Sequence, residues 1–546
     1  MLLEKEQKYR SKIMNHLGLI AGMTKELEIA NLIDSLIEQD MDKRTVSIGK
    51  AVEAMVLNGL GFVNTRLYLV TKFFENKPVE RLLGSGIRAE HLNDDVLGRA
   101  LDQIHAYGVS SLFPRIAANS CRILGLDSKY LHLDSTSFHV DGKYNSEDPS
   151  FDEGGVIRIT KGYSRDHHPE LNQIVLSMIV ENKAGLPVQM KPLNGNSSDQ
   201  VDFGRLIHSH IDQLTNYHNV EYIVGDAALY TDNNLKILSE HPQVKWISRV
   251  RLTIKEAKNI LECIDQQRFI PIDDNYSYQE YESNYAGIDQ RWVVVYSEAA
   301  YAREVKTLNK KVKKKIEKEL KGFDKFCKIE FACEADALKA VAKFKKKCKY
   351  LEITDISCRE VRRYQCKGRP KRDSVPPIAG YTIDGTVSSS LTNYNKTRSS
   401  KGMFILASNE LDKSVLSSPD ILGGYKNQGR VERGFRFLKD PAFLASSIFL
   451  EKPERIESLL FIMTLCLMVY SALEYRIRKE LKVQGKYFPN QTKRDIQNPT
   501  AKWVFFCFVG VHEIIIENTE KIIANLQPSH KVILEILGHI YSDCYQ

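Results

Sequence analysis

Along the first 125 residues, apolar positions recur at three- and four-residue intervals in LEIANLIDSLIEQ (27–39), IGKAVEAMVLNGLG (48–61) and VLGRALDQIHAYG (96–108). That interval stacks side chains on one face of an α-helix. Asn93-Asp94 precedes the last segment as a helix cap. From residue 128 the texture changes. KYLHLDSTSF (129–138), NQIVLSMIVEN (172–182) and GLPVQMKPLNG (185–195) are rich in β-branched and apolar residues, and Asn-Lys-Ala-Gly between the last two predicts a hairpin. A helical pattern in DQVDFGRLIHSHIDQL (199–214), a strand EYIVGD (221–226), a helix near TDNNLKILSE (231–240) and a strand VKWISRV (244–250) follow. The order β-β-β-α-β-α-β predicts a mixed α/β sheet with an antiparallel start and parallel later strands.

Between 251 and 400 this order is interrupted. SYQEYESNYAG, QRWVVVYS and KYLEITDISC read as strands, and two lysine-rich helices occupy roughly 300–347. A strand GMFILAS follows at 402–408, and 453–546 reads as helices. The longest apolar run, LLFIMTLCLMVYSAL (459–473), falls short of the roughly 20 residues a spanning helix needs, which predicts a buried core helix and no membrane segment.

Charge sharpens this picture. Residues 301–372 hold 24 Lys and Arg against 10 Asp and Glu; the whole chain carries +8, so the remainder sums to −6. Such concentration is the footprint of a polyanion partner, most simply nucleic acid, although i, i+4 pairs on a solvated helix face give the same composition. Within KGRPKRD (367–373), Arg369 is the centre of a Gly-Arg-Pro core, followed by Lys371, of the kind that lies in an AT-rich minor groove, although a plain basic loop has the same composition. The ten cysteines form no CxxC pair, which argues against zinc and a disulfide framework and fits a reducing cytoplasm. MLLEKEQKYRSK is charged where a signal peptide is apolar.

Candidate chemistry centres on GYKNQGRVERGFRFLKD (424–440). On a single helical wheel Tyr425, Gln428, Glu432, Arg436 and Lys439 fall within about 80° of one another. Glu432 gains meaning from Asp134, in LHLDSTS on one strand, and Asp226, at the C-terminal end of EYIVGD. A carboxylate at a buried strand end is costly unless solvated, paired or metal-bound, and strand ends line the ligand crevice of open α/β sheets. Three such carboxylates describe an oxygen-only site suited to Mg²⁺, with Mn²⁺ able to substitute. Two ions there could activate a water or 3′-hydroxyl against a phosphodiester.

These residues resemble the ribonuclease-H-like domain of bacterial insertion-sequence DDE transposases. Tyr425, Gln428, Glu432 and Lys439 match the Tyr-x2-Arg-x3-Glu-x6-Lys spacing of a subgroup with a β-rich insertion before the glutamate helix, except that Gln428 stands where that subgroup has Arg. GYSRDHHPELNQIVLSMIV, KPLNGNSSD and PTAKWVFFCFVG are further similar stretches. The resemblance implies a helical N-terminal domain (1–125), a catalytic domain in two parts (126–250 and 401–450), an insertion (251–400) and a helical C-terminal region (451–546). It implies cut-and-paste cleavage of transposon ends and their joining to target DNA, with Asp134, Asp226 and Glu432 as catalytic metal ligands. Tyr425, Gln428, Arg436, Lys439, Arg369 and Lys371 are the expected DNA contacts. Double-stranded terminal repeats and target DNA, a homodimer pairing two ends, and a bacterial cytoplasmic, nucleoid-associated location complete the expectation. A structure-selective nuclease and a non-catalytic DNA-binding regulator are the competing readings. His167-His168, Ser135 and Ser137 read as turn and strand positions, and no phosphate-binding glycine loop follows any strand.

Overall fold

The computed structural model describes the chain except for residues 1–8, 41, 43, 63–66, 127–128, 141–143, 145–155, 165–167, 199–202, 205, 208–210, 212–213, 216–219, 365–373, 441–449, 451 and 517–519. It divides into two compact units, one of residues 1–249, 283–290 and 408–546, the other of residues 250–282 and 291–407.

The first unit opens with the expected helices, α1 (Leu17–Glu26), α2 (Ile29–Leu36), α3 (Ile48–Leu60), α4 (Asp94–Tyr107) and α5 (Val109–Leu124). Asn93 caps α4, its Oδ1 accepting from the Val96 N–H at 3.0 Å. Helices α2 and α3 meet backbone to backbone, because a Cβ at Gly49 would lie 2.3 Å from the Ala30 carbonyl oxygen. Five strands follow: β1 (Tyr130–Val140), β2 (Asn172–Glu181), β3 (Pro187–Leu193), β4 (Tyr222–Gly225) and β5 (Lys245–Arg249), with α6 (Asp232–Ser239) between the last two. They lie in the order β3-β2-β1-β4-β5. Pairs β1–β2 and β2–β3 are antiparallel, and pairs β1–β4 and β4–β5 are parallel. This is the ribonuclease-H-like order that the sequence suggests. The helical pattern at 199–214 falls largely outside the described residues.

In the second unit, α7 (Glu298–Phe326) and α8 (Glu334–Lys347) pack on an antiparallel hairpin of β6 (Leu351–Arg362) and β7 (Ile378–Ser389). The lysine-rich α7 buries one stripe, with Leu308 and Val312 against Tyr350, and Phe323 against Leu351 and Ile353. Its Lys311, Lys313, Lys314 and Lys318 are exposed. The Glu319 carboxylate accepts from the N–H groups of Lys349, Tyr350 and Leu351 at 2.9–3.2 Å, anchoring the start of β6. Arg369 and Lys371 lie outside the described residues.

The first unit resumes with α9 (Ser418–Lys426), α10 (Gly429–Leu438), α11 (Pro453–Val483), α12 (Ala501–Cys507) and α13 (Pro528–Leu537). Helix α11 is long and apolar enough to cross a membrane, yet 89% of its most apolar window is buried inside the protein. It packs against α1, α3, α4 and α5 as the core helix expected from its short apolar run. Arg455 at its start grips Asp102 of α4 with two 2.7 Å hydrogen bonds. The all-helical expectation for 453–546 is corrected in two places, the first being a short antiparallel pair of Phe488–Pro489 with Asp495–Ile496. His512–Ile516 and Glu520–Ala524 pair as antiparallel strands, and Tyr9–Ile13 pairs with the former. The isoleucines of HEIII favour an extended chain once a partner edge is supplied.

Candidate active site

The helix expected over 424–440 is two helices. Across the junction the hydrogen bonds shorten to three-residue spacing: Gln428 N–H to Tyr425 C=O, Arg430 to Asn427, Val431 to Gln428. Such tightening breaks the α-ladder, so Tyr425 belongs to α9 and Glu432 to α10.

Parallel pairing sets the two aspartates. Leu133 of β1 is the register partner of Gly225 of β4, so Asp134 and Asp226 follow as neighbours on adjacent strands, about 4.8 Å apart in the pairing direction. Each carboxylate is held by a backbone N–H near it. Asp134 Oδ1 accepts from Ser135 and Asp226 Oδ1 from Ala228, both at 2.8 Å. The Asp226 carbonyl also accepts from the Ser248 hydroxyl on β5 at 2.9 Å.

Helix α10 is pinned over β1 at both ends. At its start the Gln428 Nε2 donates to the Leu133 carbonyl at 2.9 Å, and its Oε1 lies 3.1 Å from His132 Nδ1. Because that Oε1 is an acceptor, the His132 Nδ1 carries the proton. His132 Nε2 faces the Asn182 amide at 3.1 Å, and burial pushes the His132 ring below the usual histidine range. At the far end Lys439 Nζ sits 5.8 Å from the Phe138 ring centre. From Gln428 to Lys439 a helix rises about 16 Å, and from Leu133 to Phe138 a strand advances about the same distance. Glu432, one turn beyond Gln428, therefore lies about 6 Å along, level with Asp134 and Ser135. By strand alternation Asp134 shares a face with His132 and Phe138, the face covered by α10. Gly434 permits the close fit, since a Cβ there would meet Leu467 of α11 at 3.0 Å and Met178, the register partner of Asp134, at 3.4 Å.

Tyr425 links the pieces. Burial pushes its phenol above the usual tyrosine range, and the Asp226 and Glu432 carboxylates add to the shift. A hydrogen bond to the Arg249 guanidinium opposes it. The phenol thus stands within electrostatic reach of both acids and of the cation at the end of β5.

The donors are oxygen only, a set that suits hard divalent ions and disfavours zinc. Among the described residues no three His, Cys, Asp or Glu side chains are clustered closely enough to hold an ion. Like charges 4 Å apart repel by about 4 kcal/mol at an effective dielectric near 20, so gathering three carboxylates requires a cation. The donor chemistry fits such an ion, with Asp134 and Asp226 as the neighbouring pair and exposed Glu432 as the third ligand brought by α10.

One expectation changes. Gln428, expected to face DNA, is only 7% exposed, and both ends of its amide are committed to β1. It holds the glutamate helix to the strand. Arg436 is exposed on α10 and Lys439 is partly so. Arg249 and His132 escaped the sequence reading. Arg249 carried a weak signal as a charge closing the apolar strand WISR, whereas His132 needed the fold to bring β1 and α10 together.

The family described as Transposase DDE domain matches residues 128–469. A domain of unknown function (DUF4277) matches residues 9–118. No curated protein matches the chain. Among solved structures, the cryo-EM structure of a piggyBac transposase synaptic complex with hairpin DNA is similar at 11% identity and a TM-score of 0.35, covering 90% of this chain and 79% of that one.

Proposed function

The chain belongs to the DDE transposase family, whose domain spans 128–469, and from that premise we propose that it cuts transposon ends and joins them to target DNA through Asp134, Asp226 and Glu432. One observation carries the assignment of these residues: Asp134 and Asp226 directly follow the register pair Leu133 and Gly225, and α10 is held along the same strand by Gln428 and Lys439, which by rise puts Glu432 at about their level.

DDE transposases use divalent metal ions as a family, and here Asp134, Asp226 and Glu432 would hold Mg²⁺ or Mn²⁺. A bound pair of such ions supplies a polarised water or 3′-hydroxyl and neutralises the leaving oxygen. The protein's own residues prepare the ground. The Ser135 and Ala228 N–H groups orient the two aspartates. Gln428 holds the start of α10, and the Tyr425 phenol with its Arg249 partner stands within electrostatic reach of Asp226 and Glu432. Lys439 and Arg436 are cations on the same helix that would take phosphates flanking the cut, where charge-assisted contacts fix the scissile bond in line. Joining two ends calls for two copies, so a homodimer is the working assembly.

Glu432→Gln tests the reading because it keeps size and removes one ligand charge. Mg²⁺-dependent cleavage of transposon-end DNA is expected to fall by at least about a hundredfold, the scale of losing one electrostatic stabiliser. Cleavage and joining at the wild-type rate would overturn the assignment. Nicking without joining by the wild type would favour a nuclease.

A further inference from the structure

Helix α10 has a second polar side. Facing away from Gln428, its Arg430, Arg433 and Phe437 form one wall of a cleft of about 1060 Å³, and α11 forms the other. Eight lysines and arginines line the cleft against two acids, Asp440 and Glu474, with Arg436 at the edge it shares with the Glu432 face. Both acids are already engaged, Asp440 with Lys502 at 3.0 Å and Glu474 with Arg478 at 2.7 Å. The lining residues therefore carry an excess of six cations over acids.

The crowding is built in. The Arg430 Nε is buried without a hydrogen-bond partner among the described residues. Burial pushes its guanidinium down, and Arg433 and Arg478 add to the effect against the pull of Glu181. Lys183 reaches the cleft from a turn that is itself fixed: the buried Glu181 carboxylate accepts from the N–H groups of Lys183, Ala184, Gly185 and Leu186. Aromatic faces lie among the charges, with Phe437 and Tyr470 at 4.6 Å between ring centres. A cation-rich groove with interleaved aromatic rings is the combination that holds single-stranded nucleic acid, phosphates on the charges and bases on the rings.

We propose that the α10–α11 cleft binds the backbone of single-stranded DNA, such as a strand separated at the cut, so that one helix carries Glu432 on one side and a strand-holding groove on the other. The proposal rests on the transposase reading above. Arg433 and Lys482 are exposed cleft residues, so Arg433→Ala/Lys482→Ala leaves the fold intact, which a thermal melt checks.

The measurement is binding of a mixed-sequence single-stranded oligonucleotide over a range of salt. Losing two phosphate contacts is expected to reduce the slope of log affinity against log salt by about 1.4, at about 0.7 per contact on a single strand. The charge reversal Arg433→Glu/Lys482→Glu is expected to weaken binding further. Unchanged affinity and slope in both variants would overturn the proposal. So would polyglutamate of matched charge displacing the oligonucleotide as well as unlabelled DNA does, because the cleft would then be a site for acidic protein. Glu432→Gln is expected to bind the oligonucleotide like wild type. Lost cleavage there and lost binding here thus report on the two readings separately, and a wild type that binds neither duplex nor single strand would fail the transposase reading itself.

Discussion

Replacing Gln428 by leucine isolates what holds the glutamate helix to the sheet. The side chain is buried and makes two hydrogen bonds, from its Nε2 to the Leu133 carbonyl and from His132 Nδ1–H to its Oε1. Leucine fills a similar volume and leaves both partners unpaired, at about 1–3 kcal/mol each. The apolar side chain recovers about 1 kcal/mol, so the net destabilisation is about 3 kcal/mol. His132→Phe removes the ring N–H that the leucine orphans, and the double variant is expected to cost about 1–2 kcal/mol less than the sum of the singles. Thermal unfolding gives the stabilities, and Mg²⁺-dependent cleavage is measured alongside, because freeing the start of α10 displaces Glu432. Cleavage is expected to fall at least tenfold below the melting range, as misplacements of about 1 Å cost on the order of a hundredfold. A single-variant cost under about 0.5 kcal/mol, an additive cycle or unchanged cleavage would refute the pinning argument.

His16 provides a pH test. It is buried, donates from Nε2 to the Leu60 carbonyl at 2.8 Å and stacks on Phe505, and burial lowers its pKa to about 4. The unfolded chain therefore binds the extra proton first, so stability present above pH 6.5 drains away as pH falls towards 4, by about 3 kcal/mol in all. His16→Phe is expected to flatten that part of the stability profile, and an unchanged slope would exclude the residue as its source. Gly434→Val places branched carbon where even a Cβ meets Leu467 at 3.0 Å, so a loss of about 1–3 kcal/mol is expected by thermal melt together with reduced cleavage. Arg249→Ala removes the cation opposing two acids at Tyr425, so the phenol pKa, read by ultraviolet titration of difference spectra against Tyr425→Phe, is expected to rise. No rise would dissolve the Tyr425–Arg249 link.

Much of the frame was legible because it is local. The alternation of KYLHLDSTSF and NQIVLSMIVEN, the turn between 182 and 185, and the Asn93 cap each depend on neighbours within a few residues. The splitting of 424–440 was not legible. Every residue there tolerates a helix, and the break comes from Gln428 reaching a strand almost 300 positions away in the chain. The same holds for the cationic cleft. Arg478, Lys479 and Lys482 lie on a core helix whose apolar run dominates its sequence signal, and only packing beside α10 joins them to Arg430 and Arg433. Strand 512–516 was missed because one of its two partners, Tyr9–Ile13, lies at the other end of the chain, and 520–524 pairs only with it.

The pairing of Leu133 with Gly225 also makes a statement about which changes in chain length this protein survives. Between Tyr130 and Asp134 a single added or deleted residue would turn the aspartate to the opposite side of the sheet, with no loop in which to absorb the error. The turn after Leu193 and the segment leaving Arg249 carry no such parity, so they can grow or shrink by odd numbers without moving either acid across the sheet. A scan of one-residue insertions would therefore read as a ruler, silent in the connections and lethal to cleavage over the four positions leading to Asp134.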